Sequence, residues 1–290
     1  MSTPFVLGHL SDLHIGEPGS VMDATFGGAE RLSRTLSAMQ HDPFRIDALL
    51  ITGDLVDHAT RSEYRRLRSL LENVTVPIVV LPGNHDDPDL LDVELNGVVA
   101  PNRIENRLGF IHDEWPLRIV ALDTTVSGLH SGNISTERVE WVDAALGAST
   151  RPTVLALHHP PISTGMWWMD YTGPPGADLL EPVVARHPHV QVMCCGHIHR
   201  SLTTTFGGTL VSVASSMVYQ SLPATSADAL PLIRSEHSSF SLLRWDGERV
   251  TVSSQSVGAG DPIDLRNVIA PWAPYEEAAR SGAPMQADHD

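Results

Sequence analysis

Cysteine is scarce: Cys194 and Cys195 are the only two in 290 residues. Neighbours in sequence seldom bridge, so a disulfide framework is excluded and a reducing compartment is the simpler expectation. Cations are few as well, 19 Lys and Arg against 35 Asp and Glu, for a formal net charge of -16. A surface that binds a nucleic-acid polymer needs clustered Lys and Arg to neutralise phosphates, so no such partner is expected. A local site can still be positive where bound cations supply the charge. No stretch approaches the roughly 18 apolar residues that span a bilayer. The opening MSTPFVLGHLSDLH has no basic stretch ahead of its apolar run, which His9 and Asp12 interrupt. It does not read as a signal peptide. The expectation is a soluble, cytoplasmic protein with no membrane partner.

What the chain does have is core material, 42% hydrophobic residues, in short β-branched runs separated by helix-like segments. Strands are expected at 4–11, 46–52, 76–82, 117–123, 153–157, 190–195 and 208–215, and as a hairpin over 239–255 turning at Asp246-Gly247. Their near-continuous apolar character suggests sheets covered on both faces. Helices fit at about 28–40, about 60–72, 135–147 and about 178–187. In the third, Ser135 or Thr136 can cap, and Val139, Val142 and Leu146 line one face. The fourth carries Pro182, placed early, where a first turn tolerates it. Strand–helix alternation followed by a β-rich stretch over about 200–257 predicts a layered α/β domain spanning 1–257. Residues 258–290, rich in Pro, Ala, Gly and acids, read as a loosely attached tail or interaction arm.

Chemistry gathers where the strands end. Asp12-Leu13-His14 follows the first, Gly53-Asp54-Leu55-Val56-Asp57 the second, and Gly83-Asn84-His85-Asp86-Asp87 the third. His158-His159-Pro160-Pro161 and Gly196-His197-Ile198-His199 follow two later ones. In an open α/β sheet the carboxyl ends share one edge, where ligands bind. Any single histidine after a strand is most simply a polar loop residue, but five such ends coincide. Carboxylate, imidazole and amide form a borderline-hard donor set suited to Mn, Fe or Zn. Seven donors exceed what one four-coordinate ion needs and suit two ions sharing a carboxylate.

The ordered set DLH, GDLVD, GNHD, HHPP and GHIH, over residues 12–199, resembles the signature of the calcineurin-like metallophosphoesterases. Longer stretches are most similar to bacterial class III cyclic-nucleotide phosphodiesterases and the related glycerophosphodiesterases. The resemblance implies a four-layer α-β-β-α sandwich with its active site at the carboxyl ends of the strands, and a dinuclear centre of Fe, Mn, Zn or Co. Carried over residue by residue, Asp12, His14, Asp54 and His199 hold one metal. Asp54 again, as the bridge, with Asn84, His158 and His197 holds the other. Members with a single histidine here read H-x-P, which selects His158; His159 then faces substrate or packs. The family's ligands are not thiolates, so Cys194 and Cys195, ending the strand that delivers His197 and His199, are small hydrophobes. His85 is expected to contact phosphate and to be the catalytic side chain, stabilising charge or protonating the leaving oxygen. Asp57, Asp86 and Asp87 are the carboxylates available to orient metal-bound imidazoles, with a solvated loop acid an equal reading for Asp87.

The implied reaction is hydrolysis of a small phosphodiester, a 3',5'-cyclic nucleotide or a glycerophosphodiester, by attack of a metal-bridging hydroxide. A phosphomonoesterase or nucleotidase of the same fold, a nuclease, and a non-catalytic scaffold are the alternatives. A nuclease is disfavoured by the charge, and a scaffold would be expected to have lost ligands. His130 in SGLHSGN and the aromatics of GMWWMDYTG follow strand ends. The first reads most simply as a loop histidine, with a place at the pocket rim as the alternative, and Trp167 and Trp168 as a lid, a stacking surface or an interface. In the resembling subgroup the C-terminal region builds dimers or larger assemblies, so a homo-oligomer is expected.

Overall fold

Strands that are apolar on both faces need a cover on each side. The computed structural model describes residues 4–41, 43–100, 108–258, 277, 280 and 281. In chain order its first elements are β1 (Phe5–Leu10), α1 (Val21–Phe26), α2 (Gly28–Met39), β2 (Ala48–Thr52), α3 (Arg61–Leu71), β3 (Ile78–Leu81) and α4 (Pro88–Glu94). The middle of the chain supplies β4 (Gly109–His112), β5 (Arg118–Leu122), α5 (Thr136–Gly147), β6 (Thr153–Leu157), α6 (Trp167–Tyr171), α7 (Ala177–Arg186) and β7 (Val190–Cys195). The remainder is β: β8 (Leu202–Phe206), β9 (Thr209–Val213), β10 (Gln220–Ser221), β11 (Ile233–Arg234), β12 (Ser239–Trp245) and β13 (Val250–Ser256).

These strands form a five-stranded sheet, β13-β12-β1-β2-β3, and a six-stranded sheet, β4-β5-β6-β7-β9-β8. The central strands of each, β1-β2-β3 and β5-β6-β7-β9, are parallel. Alternation of side chains along each strand sorts the core into three slabs. Leu50 and Val79 of the first sheet meet Val154, Ala156, Val192 and Cys194 of the second. On the outer face of the first sheet, Leu49, Ile51 and Val80 pack under α2 and α3 through Leu32, Leu36, Tyr64 and Leu67. On the outer face of the second, Leu155, Leu157, Met193 and Cys195 pack under α5 and α7 through Val142, Leu146, Leu180 and Val183. The molecule is the expected four-layer α-β-β-α sandwich.

The expected long strands and helices are present, and the hairpin turns at Asp246-Gly247, with Trp245 opposite Val250. β4, β8, β10, β11, α1, α4 and α6 were not expected; each is short or carries polar faces that periodicity does not mark. Pro182 is not in a first turn but inside α7. The tail from Gly258 lies outside the described residues apart from Gly258, Glu277, Arg280 and Ser281.

Candidate dinuclear metal centre

Six non-glycine residues among those described have left-handed backbone, and five belong to the expected ligand set: Asp12, His14, Asp54, His197 and His199, with φ between 43° and 71°. L-residues avoid this region by roughly 1–2 kcal/mol each. Such strain gathers where surrounding structure fixes a functional side chain. Here the turns after the strands interlock: His14 N–H donates to the Asp54 carbonyl (3.0 Å) and Gly196 N–H to that of His158 (2.9 Å). Gly83 has no room for a side chain, because a Cβ would stand 2.2 Å from Asp54 Oδ1 and 2.3 Å from its backbone nitrogen. The glycine of GNHD is a packing requirement.

Two donor clusters result. In the first, His14 Nε2 and His199 Nε2 are 3.0 Å apart, His199 Nε2 is 3.4 Å from Asp12 Oδ1, and His14 Nε2 is 3.5 Å from Asp54 Oδ2. In the second, Asn84 Oδ1 lies 3.2 Å from His158 Nε2 and 3.0 Å from His197 Nδ1, and His158 Nε2 is 3.4 Å from the same Asp54 Oδ2. One carboxylate oxygen therefore belongs to both. Asp54 Oδ1 is turned away, accepting the His85 N–H at 2.9 Å.

The donors fit a pair of cations. Two imidazole nitrogens about 2.0–2.1 Å from one ion, at angles of about 90–110°, stand about 2.9–3.4 Å apart, which matches the pair in the first cluster. In the second, His158 Nδ1–H donates to the Thr52 carbonyl at 2.7 Å, so Nε2 is the nitrogen that gains or loses a proton, and it faces the cluster. Asp54 Oδ2 and Asn84 Oδ1 both turn lone pairs toward that nitrogen. Burial opposes protonation of His158, yet Asp54 and Asp12 outweigh it and lift its pKa to about 9. Burial likewise lifts Asp12 to about 6. It holds His197 and His199 well below the usual histidine range, with neighbouring histidines adding to the effect. A site that raises both a carboxylate and the His158 imidazole is one short of positive charge at the distances where a metal supplies it.

All seven expected ligands come together here. His159 also lies within ligand reach of His158 and His197, but both of its ring nitrogens are engaged elsewhere: Nε2–H donates to the His130 carbonyl (3.1 Å), and Nδ1 meets Thr124 Oγ1 (2.8 Å). Cys194 and Cys195 are buried and free, burial pushes both thiols up, and neither joins a potential metal cluster among the described residues. Of the three orienting carboxylates, Asp57 faces His14 Nδ1 at 3.5 Å. Asp86 instead accepts from the backbone of Gly83 (2.9 Å) and Leu55 (3.1 Å), tying two ligand loops together. Asp87 caps α4 by accepting from Asp89 N–H and Leu90 N–H. Neither touches a ligand imidazole.

Beside the clusters opens a cleft of about 730 Å³, lined by Asn84, His85, His130 and Arg138 among others. His85 Nδ1–H donates to the Asp57 carbonyl at 2.8 Å, leaving Nε2 free, and burial lowers its pKa. His130, read from sequence as a loop histidine, belongs to the site: Asn84 Nδ2–H donates to its Nδ1 at 3.2 Å, turning the amide oxygen toward the imidazoles. Its place after a strand end was the available signal. Trp167 and Trp168 do not line this cleft. Trp167 Nε1–H donates to the Ala229 carbonyl at 3.0 Å, and Trp168 packs on the core.

A double-clustered His, Asp and Asn centre at the carboxyl edge of a four-layer sandwich defines a metallohydrolase. Residues 5–201 match the family model described as calcineurin-like phosphoesterase, and the chain belongs to that family. It is 27% identical over 252 residues to a probable glycerophosphodiester phosphodiesterase GpdQ of Arcobacter nitrofigilis, covering 86% of this chain and 92% of that one. It is 31% identical over 206 residues to the 3',5'-cyclic adenosine monophosphate phosphodiesterase CpdA of Escherichia coli K12, covering 70% and 73%. Among solved structures, a dimetal phosphatase from Danio rerio superposes with a TM-score of 0.66 at 16% identity, over 88% of this chain and 97% of that one. That likeness concerns the fold.

Proposed function

We propose that this chain is a dinuclear-metal-dependent phosphodiesterase acting on small diesters, cyclic nucleotides or glycerophosphodiesters. The observation that carries it is the single Asp54 Oδ2 shared between two donor clusters. Asp12, His14, Asp54 and His199 would hold one ion, and Asp54, Asn84, His158 and His197 the other. When bound, such ions supply Lewis acidity and a nucleophile at neutral pH. The chain's own residues do the rest. His130 fixes the Asn84 amide, and Asp57 fixes the rings of His14 and His85. The free Nε2 of His85 faces the cleft, where it can hold or deliver a proton to a departing oxygen. A cleft of about 730 Å³ with five aspartates on its walls suits a small substrate and repels a polyanion. The named relatives favour a diester.

The same reading includes Mn, Fe, Zn or Co as the metals. It includes a homo-oligomer, for which the exposed Leu230, Leu232 and Ile233 of the β10–β11 segment supply apolar surface. It also includes a cytoplasmic location, in which unbridged thiols are stable; no helix among the described residues is long and apolar enough to cross a membrane. The test is a panel of cyclic nucleotides, glycerophosphodiesters and phosphomonoesters assayed on Mn-reconstituted protein. Diester turnover abolished by chelation is the expected result. Monoesters turned over better than every diester would assign a phosphatase instead, and no turnover by loaded protein would leave a scaffold.

A further inference from the structure

The segment GMWWMDYTG lies outside the cleft, yet it ends against the second donor cluster. Its last contact is Thr172 Oγ1, 2.9 Å from His197 Nε2. The same hydroxyl lies 3.0 Å from the carbonyl of Met169, which can only accept. The hydroxyl's one proton is therefore committed to Met169, and toward His197 it offers a lone pair. Nε2 must carry the hydrogen. A neutral imidazole has one N–H, so Nδ1 is bare, and Nδ1 faces Asn84 Oδ1 at 3.0 Å. From this geometry we infer that Thr172 is a positioning residue for the second metal: it selects the His197 tautomer whose Nδ1 lone pair is aimed at the ion. The inference rests on the dinuclear reading above.

The rest of the segment holds Thr172 still. Thr172 ends α6, its N–H turned back to the Met169 and Asp170 carbonyls. A five-residue helix has little stability of its own, so it is anchored from outside. Asp170 accepts from Ser163 Oγ (2.9 Å) and from Thr164 N–H and Oγ1 (2.7 Å each). Met166 is buried in the core, and the Trp167 N–H donates to the Ala224 carbonyl at 3.1 Å. The aromatic pair thus clamps a helix whose end orients a ligand. Partners of metal-bound histidine typically matter about 10–100-fold in affinity.

The experiment compares Thr172→Val, which keeps shape and loses the hydroxyl, with Thr172→Ser, which keeps it. Stepwise Mn(II) binding to the full chain is followed by calorimetry, and the His197 ring nitrogens by ¹⁵N NMR of the metal-free protein. Thr172→Val should weaken one binding step about 10-fold or more and leave the other unchanged. Thr172→Ser should restore the wild-type isotherm, and the wild-type ring should show hydrogen on Nε2 alone. Unchanged binding in the valine variant overturns the inference. So does equal weakening of both steps, or hydrogen on His197 Nδ1 in the wild type at neutral pH. A wild-type protein that binds no metal pair would instead defeat the dinuclear reading, and that outcome is visible before any variant is made.

Discussion

His85 can donate a proton from one atom only. Its Nδ1–H is bound to the Asp57 carbonyl and its backbone N–H to Asp54, so the acid form must carry the reactive proton on Nε2. Burial lowers the pKa against the opposing pull of Asp54, which places the acid form on the low-pH side of neutrality. Hydrolysis of an alkyl diester needs that proton on the leaving oxygen, whereas a nitrophenolate departs without it. His85→Ala should therefore lose about 10²–10⁴-fold in turnover of an alkyl diester and much less with a nitrophenyl diester. In the wild type, the ratio of alkyl to nitrophenyl turnover should rise as pH falls through the lowered pKa. Equal losses on both substrates, with a flat ratio, would make His85 an electrostatic clamp on the phosphoryl oxygens.

The residues at the strand ends divide into those that supply the clustered donors and those that hold the donor loops in place, and the two kinds look alike in sequence. GNHDD shows both within five residues: Asn84 and His85 enter the site, Asp86 ties the loop to its neighbour, and Asp87 starts α4. That these side chains gather at one edge was legible because each motif pairs a short apolar strand with a donor directly after it, and strand ends converge; the choice among neighbours such as His158 and His159 came from the family resemblance. The holders were not legible. Whether an aspartate faces an imidazole or a helix N-terminus depends on the turn that follows, and His130 is brought to Asn84 by a loop with no periodicity. The same holds for the second partner sheet strands, β4 and β8, whose half-polar faces carry no strong signal. Asp87 offers a clean separation of the two kinds. Replacing it by Ala removes the cap of α4 and should cost about 0.5–2 kcal/mol in thermal or urea unfolding, with two metal equivalents retained. Loss of an equivalent from a folded Asp87→Ala protein would show that it supports the centre after all.

At the scale of the whole molecule, the sandwich closes its two sheets over a patch of charge it cannot neutralise alone. Without metal, protons must do this work, and the sign of the effect follows from the shifts. The pKa of His158 rises from an ordinary 6.5 to about 9 in the fold. Its contribution is fully present below 6.5 and is lost as pH rises through about 9. His14 is raised too: burial opposes, but Asp57, Asp54 and Asp12 outweigh it, so its contribution has the same sign. His197 and His199, held neutral by burial, act oppositely but only near and below 6.5, where the unfolded chain takes up their protons. Asp12, raised to about 6, has largely finished titrating above 7. Between about pH 7 and 9 the metal-free protein should therefore lose stability, by at most about 1.4 kcal/mol per pH unit for each group. Ions on Asp54 and His158 replace these protons and remove the dependence, so the difference in Tm between Mn-loaded and chelator-treated protein should widen steadily over that window. A difference that stays constant from pH 7 to 9, at saturating metal, would mean that the ions bind elsewhere than on the His158 nitrogen facing Asp54.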